Sequence, residues 1–144
     1  MESLYEHAGK ESGLRRTITV WYASVLRDSL LQPLFGEGQP THVDHLTAFF
    51  AEVFGGPTRF TDQLGGFPAL LAAHQGRQIT EAQRRRFVAL FLAAADETEL
   101  PSDEPFRRAL ISYLEFGTEI AVVNSHATGE ADLHPCQEIP RWSW

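Results

Sequence analysis

Six histidines, three tyrosines and a single cysteine carry most of the metal-binding and nucleophilic chemistry in this 144-residue chain. His74 follows Leu70 and Leu71 on a short apolar stretch, and the loop Gln75-Gly76-Arg77-Gln78 comes next. A neutral imidazole on an apolar helical face can bind a metal held by something else, such as a porphyrin. A lone histidine at such a place is also often only a hydrogen-bonded or surface residue. His42 and His45 stand three apart, on adjacent turns of one helix face, and could chelate a divalent ion. No third ligand follows at supporting spacing, so a solvated pair at a helix start fits them as well. Tyr22 sits among apolar neighbours, where its hydroxyl meets either an internal acceptor or a ligand. Cys136 has no partner cysteine, which excludes a disulfide within the chain and a zinc site built on several thiolates. There is no nucleophile elbow, phosphate loop or usefully spaced Cys-His pair, and the carboxylates are scattered over solvent faces rather than paired for acid/base work.

Helices must position these groups. Ser3 and Glu6 have capping-box spacing, and Gly9 and Gly13 limit any helix there to about two turns. Leu14, Ile18, Trp21, Tyr22, Val25 and Leu26 recur in steps of three and four, which predicts one face of a long helix ending at Asp28-Ser29. Leu30 to Phe35 form an apolar turn before Gly36-Glu37-Gly38-Gln39-Pro40. Thr41 is the expected N-cap of the next helix, with Asp44 in its first turn, and Gly55-Gly56-Pro57 stops it. Residues 57–67 read as loop, and Pro68 opens the short helix of His74. Thr80 and Gln83 form a second capping box. A final helix starts after Pro101-Ser102-Asp103. The expectation is an all-α chain of four substantial helices, one very short helix and an N-terminal turn, with most of the weight for Phe106 and Phe116 placed on core packing. Residues 1–125 form the domain, and 126–144 form an irregular tail docked by Trp142 and Trp144.

The formal charge of −7 leaves no cation excess to replace phosphate counterions or to meet an anionic membrane. Nucleic acid and membrane are therefore excluded as partners. The N-terminus lacks a secretory pattern, and no segment approaches the ~20 apolar residues of a membrane span, so a cytoplasmic location is expected.

Taken in order, these residues resemble the truncated haemoglobins, specifically the second group of that family. The likeness runs from about Leu4 to Ser125. It rests on Tyr5 with Gly9, on Trp21-Tyr22, on Leu34-Phe35, and on Phe50-Ala51-Glu52-Val53-Phe54-Gly55-Gly56-Pro57. Gly65-Gly66-Phe67-Pro68 leading to His74, Tyr113-Leu114-Glu115 and Asn124-Ser125 complete it. The resemblance implies a shortened globin fold, two antiparallel helix pairs sandwiching a haem of the b type. It implies that His74 is the proximal iron ligand, that Tyr22 is the distal hydrogen-bond donor, and that Phe35 packs on the haem face. His42, Leu46 and Phe87 then line the ligand side. Phe49, Phe50, Phe54, Leu70 and Phe91 become haem contacts, and Arg77 is a partner for a propionate. Four positions depart from the pattern. Phe87 stands where an indole donor is common, Phe60 where a tyrosine is common, Lys10 replaces the second glycine of the opening pair, and Phe67 replaces a loop histidine.

The function so implied is reversible binding of dioxygen, carbon monoxide and nitric oxide, for oxygen storage or transport or for nitric oxide detoxification. Dioxygenase or peroxidase-like turnover needs a separate reductase, since the chain has no flavin or nicotinamide motif. A homodimer is the assembly to look for. The competing expectation is a helical interaction module that kept the globin shape and lost haem, motivated by Phe87 and the altered loop.

Overall fold

Local capping decides where several helices begin. Ser3 Oγ accepts the Glu6 N–H at 3.1 Å while Glu6 accepts the Ser3 N–H at 3.2 Å, starting α1 (Leu4–His7). Thr80 and Gln83 repeat the device at α7 (Glu81–Glu97), with bonds of 3.1 and 2.9 Å. Asp103 caps α8 (Glu104–Ser125) by accepting the Phe106 N–H at 3.2 Å. Each such cap contributes about 1 kcal/mol. The remaining elements are α2 (Lys10–Leu26), α3 (Gln32–Phe35), α4 (Pro40–Val53), α5 (Arg59–Gln63) and α6 (Gly66–His74). The computed structural model describes residues 2–74, 76–126 and 139–144. Tail residues 127–138, with His134 and Cys136, lie outside the described residues.

Four local expectations need correction. α2 starts at Lys10 and runs through Gly13, because glycine there serves close approach: a Cβ would stand 2.0 Å from the Ala8 carbonyl oxygen. α4 starts at Pro40, whose fixed φ suits a first helical position, so the cap falls on Gln39 and Thr41 is already helical. Asp44 consequently lies beyond the first turn, where it binds Arg59 of α5 at 2.6 Å and Arg15 of α2 at 3.0 Å. The stretch 57–67 holds the short helix α5, drawn inward by Phe60, which is buried against Phe49. Phe116 is 39% exposed rather than core, lying 5.1 Å from the Trp142 ring.

All described elements are helical, and α2 packs on both α4 and α7 while α7 packs on α8. The result is two antiparallel helix pairs, α2/α4 and α7/α8, joined through α2. Trp21, Ile18 and Val25 of α2 meet Val53 and Phe54 of α4, Phe91 of α7 and Leu110 and Leu114 of α8 in one buried cluster. Burying each large side chain there is worth roughly 1.5–3 kcal/mol. α4 reaches α6 chiefly through α5, and α6 rests on α8. The last residues lie on this body: the Trp142 N–H donates to the Val53 carbonyl at 2.6 Å, and the Trp144 indole donates to the Glu2 carbonyl at 2.7 Å. Among the described residues no helix is long and apolar enough to cross a membrane.

Candidate functional site

Position 22 lies on the buried face of α2, and the start of α4 comes down upon it. Gly38 (φ +87) makes this approach possible, since a Cβ there would meet Leu26 at 2.8 Å and the Tyr22 hydroxyl at 3.2 Å. The Gln39 N–H, left without a helical partner at the α4 N-terminus, donates to Tyr22 Oη at 3.1 Å. One turn on, His42 Nδ1 is hydrogen-bonded to the same hydroxyl. The two rings stand edge to face at 5.4 Å. Phe35 of α3 closes the group, 5.8 Å from Tyr22 and 5.9 Å from His42. Behind it Trp21 packs 4.6 Å from Phe87 and donates its indole N–H to the Phe87 carbonyl at 3.3 Å. Burial, then the charges of His45 and Arg77, push His42 below the ordinary histidine value. His45 itself points to solvent.

His74 ends α6 across from this group. Burial first, then the Arg77 charge, lowers its imidazole below the ordinary value, while a hydrogen bond to the Leu70 carbonyl works in the opposite direction. A ring N–H spent on that carbonyl leaves the other nitrogen with a free lone pair. Arg77, anchored by its Nε–H to the Ala73 carbonyl at 3.1 Å, therefore acts electrostatically on both His42 and His74. Side chains from α4 and α6 thus border one space, with a cation at its rim. Val43 and Leu46 of α4, Leu70 of α6 and Phe87 of α7 are half-buried apolar groups packed against the core.

The other aromatic residues expected at the site lie deeper. Phe49, Phe50, Phe54 and Phe91 form a buried cluster with Phe60 and Tyr113, with ring separations of 5.1–6.4 Å. Phe54 and Phe91 are each only 1% exposed. Phe91 links the two groups, 6.1 Å from Trp21 and stacked on Phe87 at 6.5 Å. Among the described residues His74 makes no ring contact with Tyr22, His42 or Phe35. Two participants escape sequence reasoning: the Gln39 amide, whose role depends on a tertiary approach, and Gly38, which reads only as part of a chain break.

A helical sandwich with an apolar slot, a neutral imidazole on one side and a hydroxyl–imidazole pair on the other defines a globin of shortened form. The chain belongs to the bacterial-like globin family, which it matches over residues 3–118. It is similar to the haemoglobin of Chloroflexus aurantiacus, with 28% identity and a TM-score of 0.75 over 84% of this chain and 98% of that one. The truncated oxygen-avid haemoglobin of Bacillus subtilis shares 26% identity at a TM-score of 0.74, over 84% and 99% of the two chains. The group II truncated haemoglobin of Bacillus anthracis shares the fold at 23% identity and a TM-score of 0.77, over 90% and 98%. A group 1 truncated haemoglobin of Nostoc commune is 32% identical over 69 residues, 47% of this chain and 55% of that protein. The chain thus spans about half the length of the curated relatives it matches.

The fold is the truncated globin fold, and membership implies haem-based gas binding. The residues present suit that group chemically. One imidazole, neutral and oriented by a carbonyl, is an axial donor; apolar side chains suit the porphyrin faces; a cation at the rim suits its carboxylates.

Proposed function

We propose that the chain holds a b-type haem through His74 and reversibly binds a diatomic gas (dioxygen, carbon monoxide or nitric oxide) on the side of Tyr22 and His42. The observation that carries this is the placement of His42 and His74, on separate helices, within reach of one cation and both held neutral by burial. Bound haem supplies an iron with one coordination position open to the gas. Non-covalent attachment follows from the chain's single cysteine, since thioether linkage uses a C-x-x-C-H motif.

The residues then have distinct tasks. Burial lowers the proton affinity of His74, so its free nitrogen keeps a lone pair at neutral pH. The Leu70 carbonyl orients the ring and strengthens it as a donor to a metal. A hydrogen bond from the Tyr22–His42 pair meets negative character on the outer atom of the gas. In a dry pocket that bond is worth about 1–3 kcal/mol, or roughly five- to 150-fold in affinity. Phe35, Leu46 and Phe87 exclude water, and Phe87 has no donor of its own to offer. Arg77 pairs with a propionate. Turnover such as nitric oxide dioxygenation or peroxidase-like chemistry draws its electrons from a separate reductase.

The test is the visible spectrum of protein purified with haem supplied. A Soret band is expected, shifting with carbon monoxide, lost in His74→Gly and restored to that variant by added imidazole. A colourless, cooperatively folded protein would overturn the proposal and favour the haem-free interaction module.

A further inference from the structure

The contact between Tyr22 and His42 has a direction, set by which atom owns the proton. The Gln39 N–H already donates into Tyr22 Oη at 3.1 Å, so one lone pair of the hydroxyl is in use. The hydroxyl proton must go elsewhere, and His42 Nδ1 lies within hydrogen-bonding reach. A phenol O–H, with a pKa near 10, is a stronger acid than a neutral imidazole N–H. An imidazole nitrogen, with a conjugate-acid pKa near 6.5, is a much better acceptor than a phenol oxygen. O–H···N is therefore the strong pairing and N–H···O the weak one.

The surroundings agree with this direction. His42 is buried enough, and near enough to Arg77 and His45, to disfavour the imidazolium that would put protons on both nitrogens. A neutral ring accepting at Nδ1 carries its only proton on Nε2. Among the described residues Nε2 has no protein partner, and the ring keeps accessible surface on that side of α4. Tyr22, by contrast, is buried, with its oxygen engaged from two directions by one helix start.

The geometry points to His42 Nε2–H, rather than the Tyr22 hydroxyl, as the donor that meets the gas, with Tyr22 as the positioning residue that fixes the His42 tautomer. The haem reading supplies the gas; the proton's location stands independently of it. Tyr22 and Gln39 form a fixed base, and the imidazole delivers the bond one step further into the slot. α4 then governs gas retention through both its first free amide and its third residue.

Nitrogen NMR of the histidine rings tests this. The sample is the purified protein, in the diamagnetic carbon monoxide form where haem is bound and as isolated where it is not, with His42 assigned by loss of its signals in His42→Gln. The expected pattern is a protonated Nε2 and a hydrogen-bonded, unprotonated Nδ1, collapsing to a tautomer average in Tyr22→Phe. A protonated Nδ1 would overturn the inference, with or without a Soret band. Dioxygen release gives a second readout. His42→Leu should accelerate it at least tenfold, Tyr22→Phe by only a few-fold, and the double variant should match His42→Leu. If Tyr22→Phe accelerates release as much as His42→Leu, or if the two effects multiply, Tyr22 itself contacts the gas and the inference fails. Absence of a Soret band bears on the haem reading alone, because the tautomer is read in either case.

Discussion

Glu52 is a carboxylate with only 4% of its surface exposed, and it keeps its place by accepting twice from Thr61: from the N–H at 2.9 Å and from the hydroxyl. That pair ties α4 to α5 directly behind the slot. Glu52→Ala leaves two Thr61 donors without an acceptor, so a loss of about 2–4 kcal/mol is expected, read from denaturant unfolding. Thr47, fully buried on the same helix, has the opposite problem: among the described residues its hydroxyl is the buried side-chain polar atom with no hydrogen-bond partner. Thr47→Val keeps the shape and removes the desolvated hydroxyl, so unchanged or slightly higher stability, by up to about 1 kcal/mol, is expected in the same assay. Neither environment is legible in the sequence. Glu52 reads there as one of many carboxylates, because nothing local distinguishes a buried acid from a solvated one. Tyr22 and His42 were each visible as candidates, yet their bond depends on the turn at Gly38 and not on any spacing.

At the level of elements, the loop after His74 is pinned from a distance. The Ser125 carbonyl at the end of α8 accepts the Gln78 N–H at 3.0 Å, and Ser125 Oγ accepts the Ile79 N–H at 2.9 Å. The His126 ring meets the Ile79 carbonyl at 2.9 Å. α8 thereby fixes where α6 stops and where Arg77 stands. Ser125→Ala should raise amide exchange across residues 76–79 and speed haem loss, with little change at α1 or α2; exchange measurements and a haem-transfer assay read the two effects. Capping signals made α1, α7 and α8 readable from sequence because Ser3, Thr80 and Asp103 act on amides only three residues away. α5 was not readable, since five residues carry too little periodicity and Phe60 becomes helical only by packing on Phe49. Pro40 and Thr41 offered competing starts for α4, and the rigid ring took the first helical position.

For the whole molecule, His7 is a junction. Its Nε2 meets Asp103 at 2.8 Å and its Nδ1 meets Glu2 at 3.0 Å, while the ring lies 5.4 Å from Phe106 and 5.0 Å from Trp144. The hydrogen bond to Asp103, then that to Glu2, raises the histidine above its ordinary value of 6.5. His7 therefore adds stability below pH 6.5, which disappears as pH climbs through the raised value. Asp103, held below 3.8 chiefly by the bond to His7, adds stability above 3.8 that disappears on acidification. A window near pH 4–6.5 is thus where the junction is tightest. Thermal unfolding of His7→Gln should fall below the parent most at pH 5–6 and converge with it by pH 9. Asp44 resists acid further, its pKa lowered to about 2 chiefly by Arg59 and next by Arg15.

The Trp144 indole, resting on the Glu2 carbonyl, brings the second and last residues of the chain into contact. A peptide of a few residues closing that gap would turn the polypeptide into a ring without moving any helix. The cyclic molecule should melt at a higher temperature than the linear one, because its unfolded chain has less freedom to gain.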